Sequence, residues 1–190
     1  MPETDTKQSV AALIKRPLLA GALATAAAAS VATPVPALVG TFLSISGILG
    51  ESTDAKHKDE INVLSFTQSW INTMTTSGNQ GKVQCGAITV MKNIDRSSPL
   101  IKSLASGKHI SSGQLTFRTE GTQPVEYYTI KMSEIIVTEV TQMDTPDPAR
   151  IVEKVVLNAR AYSYEYQAQN DKGGLEPVKF GIDCRTTSVF

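Results

Sequence analysis

The chain has 190 residues with 18 basic and 18 acidic side chains, so its formal net charge is zero. A balanced charge gives no overall attraction to nucleic acid or to an anionic membrane surface, and neither is expected as a partner. The length suits a single domain that can bury a sizeable core without the help of disulfides.

The first 40 residues differ in composition from the rest of the chain. Lys15 and Arg16 precede an uncharged, alanine-rich segment, and the Pro-rich residues 33–36 would end any helix. This layout predicts a secretory signal peptide over residues 1–32, a linker over 33–40 and a β-domain over 41–190. An uncleaved membrane anchor and a mis-assigned start codon are the alternatives. Stable membrane insertion is not expected, because the segment is short of about 20 strongly apolar residues.

Two apolar, strand-like runs, 42–48 and 61–66, flank a polar stretch. Residues 50–60, hereafter the polar arm, contain seven charged or ionisable side chains and nothing apolar larger than Ala55. Charges of both signs at this density are expected in water or against a partner surface, not in a core. The arm is therefore either a solvated hairpin loop or a docking arm.

Further strands are predicted along the rest of the chain. They cover residues 82–93, the region around Leu115 and Phe117, 125–140 with a bend near Ser133 and Glu134, 151–168, and 178–184. In the 151–168 run, Arg160, Tyr162, Tyr164 and Tyr166 occupy every second position, so period two places these four on one face. That face suits a ring interface, a lumen surface, or cross-strand packing within one subunit.

One short helix is predicted at 97–106. Ser97 or Ser98 can cap it, Pro99 suits its first turn, and Gly107 supplies a stop. Six to eight strands with one flanking helix, and no alternation of strands and helices, predict an all-β barrel or two-sheet sandwich.

No residue pattern points to catalysis. His57 and His109 are the only histidines, G-x-S-x-G does not occur, and residues 78–82 lack the spacing of a phosphate loop. His109 is interpreted as a residue at a helix end. We predict that the protein is not an enzyme, and that it uses neither a cofactor nor a metal ion.

Cys85 and Cys184 each lie among apolar residues of a predicted strand. Two buried free thiols are the favoured interpretation. A disulfide requires an oxidising compartment and Cα atoms within about 7 Å of each other.

Several motifs in order resemble the haemolysin-coregulated protein (Hcp) family, whose members form the tube of type VI secretion systems. They are the 42–66 unit with its G-E-S-x-D-x-x-H-K arm, KNIDRSSPLIKSLASGKHI at 92–110, VEYYTIKMSEIIVTEV at 125–140, EKVVLNARAYSYEYQ at 153–167 and GGLEPVKFGID at 173–183. The resemblance implies a β-barrel subunit, six copies in a ring around a wide pore, and rings stacked into a tube. It also implies a contractile sheath, a spike protein and effector proteins as partners.

Given this resemblance, the candidate contacts between rings and subunits are eight residues. They are Glu51, Asp54, His57, Lys58, Asp59, Arg160, Tyr162 and Tyr164. Family tubes assemble in the cytoplasm before the protein leaves the cell, whereas a functional leader would send the chain to the periplasm. The alternative function is therefore an exported β-barrel binding module, monomeric or ring-forming, in the periplasm or outside the cell.

Overall fold

The computed structural model describes residues 39–73, 81–145, 151–171 and 173–190. The predicted leader, and the linker up to residue 38, lie outside these residues. The described elements are β1 (Val39–Ile45), β2 (Ile61–Thr67), β3 (Trp70–Asn72), β4 (Val83–Cys85), β5 (Ile88–Asn93), α1 (Ser98–Leu104), β6 (His109–Thr119), β7 (Glu126–Asp144), β8 (Ile151–Gln169), β9 (Leu175–Asp183) and β10 (Ser188–Val189). Within these ranges, no helix is both long and apolar enough to cross a membrane.

Six strands close into a barrel in the order β8, β5, β2, β1, β6, β7, with β7 pairing back onto β8. All of these pairs are antiparallel. The barrel interior is filled by aliphatic side chains such as Leu43, Ile88, Leu115, Ile130 and Leu157. β9 pairs with the C-terminal half of β8, and β10 pairs with β9, so these two strands extend the sheet beyond the barrel. The all-β barrel predicted from the sequence is confirmed, although it carries ten described strands instead of six to eight.

The long strands β7 and β8 change the face that they bury halfway along. In β7 both Met132 and Ile135 are buried, although they are three residues apart, and Glu134 between them has a φ of 49°. This lies at the predicted bend. In β8 the buried positions change in the same way from Leu157 to Tyr162. Strict period-two alternation across the whole of β8 is therefore wrong.

The strand predicted over residues 82–93 is divided in two. β4 pairs with β3 as a separate two-stranded sheet, hereafter the β3–β4 hairpin, while β5 belongs to the barrel. At Gly86, between them, an added Cβ would lie 2.0 Å from the carbonyl oxygen of Ser69. Only glycine allows this close approach, which diverts the chain from one sheet to the other.

The helix forms where the sequence predicts it but is shorter, Ser98–Leu104. Ser97 occupies the N-cap position, as predicted, but its side chain makes no capping bond, and Asp95 Oδ1 accepts the Ser97 backbone N–H at 2.8 Å. Ile101 and Leu104 bury the inner face of the helix. His109 is the exposed first residue of β6, four residues beyond the C-cap at Ala105, so its interpretation as a helix-end residue is wrong.

A buried ionic cluster joins this helix to the barrel. Lys92 on β5 faces Glu153 on β8 in register, and both side chains are fully buried. The Lys92 Nζ lies 3.1 Å from Glu153 Oε2, 2.9 Å from Asp95 Oδ1 and 3.0 Å from Ser98 Oγ. This Lys92 network is permitted in the interior because the ammonium group has several oxygen partners.

The two cysteines form a disulfide, with their Cα atoms 5.7 Å apart. Each is only partly buried. The favoured interpretation of two buried free thiols is therefore wrong. The two cysteines are 99 positions apart in the chain, but they meet where the β3–β4 hairpin lies against the end of β9.

Candidate functional site

The polar arm is a closed, hydrogen-bonded loop. The Gly50 N–H donates to Asp59 O at 2.7 Å, while Ser52 and Asp59 donate to Glu60 O and Ser52 O at 2.9 Å each. At Gly50 an added Cβ would lie 2.3 Å from Glu60 O, so the two sides of the arm approach as closely as they do only because residue 50 is glycine. The arm is thus an ordered part of the subunit surface.

Arg96, in the segment before α1, ties the base of the arm. Its Nε donates to Gly50 O at 2.9 Å, and its Nη2 donates to Asp59 Oδ1 at 2.8 Å. Its backbone N–H donates to Glu51 Oε1 at 3.1 Å. Two of the predicted contact residues, Glu51 and Asp59, are therefore engaged within their own subunit.

Arg118 on β6 ties the middle of the arm through Asp54. Its Nη1 donates to Asp54 Oδ1 at 2.8 Å, and its Nη2 pairs with Oδ2. The backbone N–H groups of Lys56 and His57 also donate to Asp54 Oδ1. The bond from Arg118 is the largest of the effects that hold the pKa of the Asp54 carboxyl well below its ordinary value.

His57 is buried, with 5% of its surface exposed. Its ring stacks on Phe42 with centroids 4.3 Å apart. Nδ1 lies 3.1 Å from Glu60 Oε2 and Nε2 lies 3.6 Å from Glu126 Oε1. The expectation that the arm lies in water or against a partner surface, and not in the interior, is therefore wrong for this residue and for Ser52, which is also buried.

The surface that the arm offers to a partner is consequently smaller than the sequence predicts. Its fully exposed positions are Glu51, Thr53, Ala55, Lys56 and Lys58. Of these, Lys56 Nζ lies 3.9 Å from Glu126 Oε1 within the subunit. Lys58 is the predicted contact residue on the arm that is exposed and has neither a described ion pair nor a described side-chain hydrogen bond.

The three candidates on β8 do not share a face. Arg160 is exposed, where its guanidinium lies 2.9 Å from Glu134 Oε1 and 3.2 Å from Asp183 Oδ2. Tyr162 is 1% exposed, and its hydroxyl accepts the Ala159 N–H at 3.2 Å. The strand changes its buried face between these positions, which separates Arg160 from the tyrosines.

Tyr164 is also packed within the subunit. Its hydroxyl donates to Gln68 Oε1 at 3.0 Å, and burial raises the pKa of the phenol. Its ring lies against Tyr128, Tyr162 and Phe180. Of the three roles considered for this face, cross-strand packing inside one subunit is the one that the tyrosine contacts support.

An apolar groove, which the sequence analysis missed, lies between the β3–β4 hairpin and β9. Its volume is about 580 Å³, and it is lined by Trp70, Val83, Tyr128, Tyr164, Phe180, Ile182 and Val189. Trp70 and Phe180 are 39% and 44% exposed. The alternating apolar residues of β9 were the available signal, but the position of the hairpin opposite them depends on the tertiary fold.

No group of three or more His, Cys, Asp or Glu side chains is arranged to hold a metal ion within the residues that the structure describes. Among the charged side chains of the arm, Asp54 and Asp59 form ion pairs with arginine, Lys56 pairs with Glu126, and Glu60 lies beside His57. What this arrangement provides is a fixed, charged surface and a separate apolar groove.

Known proteins share both the sequence and the architecture of this chain. A family model described as "Type VI secretion system effector, Hcp" matches residues 42–166. The protein Hcp1 of Pseudomonas aeruginosa is 35% identical over 155 residues, which cover 77% of this chain and 96% of that protein. The family match over residues 42–166 covers the polar arm and nearly all of the six barrel strands.

Solved structures agree with the sequence match. The crystal structure of Hcp1 from Salmonella typhimurium superposes with a TM-score of 0.68 at 33% identity, covering 80% of this chain and 99% of that one. The structure of a type six secretion system protein gives a TM-score of 0.74 at 23% identity, covering 80% and 100% of the two chains, and supports the fold alone. The resemblance noted from separated sequence motifs is thereby confirmed, and the chain belongs to the Hcp family of type VI secretion proteins.

Proposed function

We propose that six copies of this chain close into a ring, and that the rings stack into the inner tube of a type VI secretion system. The observation that carries this proposal is the family match over residues 42–166, which includes the barrel and the arm together. The role is structural. The subunit supplies surfaces for self-association and performs no reaction of its own.

The polar arm is the proposed contact between stacked rings. Arg96 and Arg118 fix its shape before any neighbour arrives, so that little conformational entropy is lost on contact. Lys58 is exposed on this loop and is available for pairing across rings. Each exposed ion pair contributes well under about 1 kcal/mol, so repetition around a closed ring supplies the stability.

Arg160 is proposed as a contact between subunits of one ring. Its exposed guanidinium already pairs with Glu134 and Asp183, which leaves the edge of this three-residue cluster facing solvent. A neighbouring carboxylate could join the cluster without burying a lone charge. This role concerns ring closure, whereas the arm concerns stacking.

The tube's partners are proposed from family membership. They are a spike protein at the tip, a contractile sheath around the tube and effector proteins carried in the pore. Assembly takes place in the cytoplasm, and the protein then leaves the cell with the tube. On this proposal residues 1–32 do not act as a cleaved export signal.

A second candidate function is an exported binding module that keeps the fold without the assembly. The apolar groove favours it, because about 580 Å³ of largely apolar space is enough for a small apolar ligand or a partner side chain. This candidate requires a monomer that binds such a ligand.

Light scattering on a sizing column separates the two functions. The full chain is run at several concentrations, at low and at high salt. A mass of six chains at both salts supports the ring, and a further increase at low salt supports stacking through the arm. A monomer at every concentration would overturn the tube proposal in favour of the binding module.

A further inference from the structure

The Cys85–Cys184 disulfide joins two parts of the subunit that belong to different sheets. Cys85 is the last residue of β4, and Cys184 directly follows β9. β3 and β4 pair only with each other among the described strands, whereas β9 belongs to the eight-stranded sheet that includes the barrel. The covalent bond therefore supplies a connection that the backbone ladders do not.

The noncovalent support of the β3–β4 hairpin comes from the packing of Val83 and Cys85 against the core, from ring contacts and from one hydrogen bond. Trp70 makes edge contacts with Tyr162 and Tyr164 at centroid distances of 5.9 and 5.7 Å. Gln68 Nε2 donates to Gly86 O at the base of the hairpin, at 3.3 Å. Both strands have three residues, and a two-stranded hairpin of this kind is marginal alone.

The hairpin and β9 are the two walls of the apolar groove. Trp70 and Val83 lie on the hairpin side, while Phe180 and Ile182 lie on the β9 side. Because the disulfide joins one wall to the other, its state controls whether the walls are held at a fixed separation.

We propose that Cys85–Cys184 is a redox latch, open as two thiols in the reducing cytoplasm and closed as a disulfide once the protein is outside the cell. Both cysteines are partly exposed, so a thiolate can reach them. This inference rests on the proposed function, because tube assembly and release take the same chain through both compartments.

The chemistry is thiol–disulfide exchange with a dithiol. One thiolate of the dithiol attacks a cysteine sulfur, forming a mixed disulfide and releasing the other cysteine as a thiolate. The second thiol of the reagent displaces the remaining cysteine. Two electrons and two protons pass to Cys85 and Cys184, and the dithiol becomes a cyclic disulfide. A disulfide oxidant of the same class closes the latch by the reverse reaction.

The sequence makes the latch simple to observe. Cys85 and Cys184 are the only cysteines, so a dithiol has a single target, and Trp70 on the hairpin is the only tryptophan. Hydrogen exchange of the full chain is measured with and without dithiothreitol. We expect amides of β3 and β4 to exchange about tenfold faster after reduction, while the barrel strands β1 and β2 stay unchanged.

The double variant Cys85→Ser with Cys184→Ser is the matched control. Its hairpin amides should exchange as fast as those of the reduced wild type, with or without dithiothreitol. Its Trp70 fluorescence emission spectrum should also match that of the reduced wild type. If the wild-type hairpin exchanges equally in both redox states, or if reduction loosens the barrel as much as the hairpin, the latch is overturned.

The cellular half of the proposal is tested by alkylating the chain as it is collected. We expect two alkyl groups on the protein from the cytoplasm and none on the protein in the medium. The same redox state in both places would overturn the latch. The ring mass from light scattering is an independent readout. A hexamer whose hairpin does not respond to reduction overturns the latch and leaves the proposed function standing. A monomer whose hairpin does respond overturns the proposed function and leaves the redox response of the hairpin.

Discussion

The Lys92 network and the polar arm both pair charges across distant parts of the chain, but they do so in different surroundings. Lys92 and Glu153 are fully buried and joined in register between β5 and β8. In the arm, Asp59 and Arg96 are each 45% exposed, and Asp54 retains access to solvent beside Arg118. A buried pair has no water to replace a lost partner, whereas an exposed pair does.

This difference separates two tasks in one subunit. The buried pair joins β5, β8 and the start of α1, so it supports a barrel that must survive assembly and release. The arm pairs fix the shape of a surface while leaving some of its charges accessible to a neighbour. We therefore expect substitutions in the first cluster to unfold the protein, and substitutions in the second to change the loop or the assembly.

The largest expected effect is that of Lys92→Met. It leaves the buried Glu153 carboxylate without its cation and should lower the free energy of unfolding by about 3–5 kcal/mol, measured by urea denaturation. Lys154→Met, one residue beyond Glu153, is the matched control, because Lys154 pairs with Glu139 where both are partly exposed. An equal loss in both variants would contradict the comparison.

A second variant checks that the loss comes from the unpaired charge. Lys92→Met combined with Glu153→Leu removes both charges and should recover much of the stability. If the double variant is as unstable as Lys92→Met alone, the cost arises from packing around α1 instead.

Arg118→Met is expected to open the arm and leave the barrel folded. The substitution removes both guanidinium bonds to Asp54 and retains an apolar side chain beside Phe42. Amides of the arm, such as that of Ser52, should exchange about tenfold faster, while the urea midpoint falls by much less than in Lys92→Met. Arg118→Lys should be intermediate, since an ammonium cannot make the two-pronged contact. Loss of the whole fold would show that the arm is part of the barrel's stability.

Much of this contrast could not be predicted from the sequence. The alternation of side chains along the chain predicted the long strands, and Pro99 followed by an apolar stripe predicted the helix. Both signals are local in the sequence. Arg96 and Arg118 were not identified as the arm's partners, since they lie 45 and 64 positions from Glu51 and Asp54. The bend near Glu134 was predicted, but the change of buried face that accompanies it was not, and the diversion of the chain at Gly86 depends on one backbone position that has no distinctive pattern. The pairing of Cys85 with Cys184 required a distance that only the fold supplies.

A smaller effect is expected from pH at Asp54. Because Arg118 and the arm's N–H groups favour the carboxylate, the folded pKa lies below the unfolded one. The stabilisation is therefore complete above the unfolded pKa of about 4 and declines as the pH falls toward the lower, folded value. Asp54→Asn should reduce the slope of stability against pH below about pH 4, measured by urea denaturation at a series of pH values. Buried Glu153, whose pKa is also lowered, supplies a slope that persists in this variant. An unchanged slope in Asp54→Asn would mean that the pair contributes nothing to folding.

The smallest effect per subunit is expected at Lys58, the exposed charge at the arm's surface. Lys58→Glu should leave the urea midpoint and the hexamer mass unchanged, because the side chain has no described ion pair within its subunit. If the arm carries the stacking contacts, each lost pair removes well under about 1 kcal/mol, but six equivalent losses in a ring interface are felt together. Sedimentation at low salt should then show fewer stacked rings than the wild type, and the difference should shrink as salt screens the wild-type contacts. Lys131→Glu, a charge reversal at an exposed position on β7 away from the arm, is the control. Equal loss of stacking in both variants would assign the effect to net charge, and the stacking surface would then have to be sought elsewhere than on the arm.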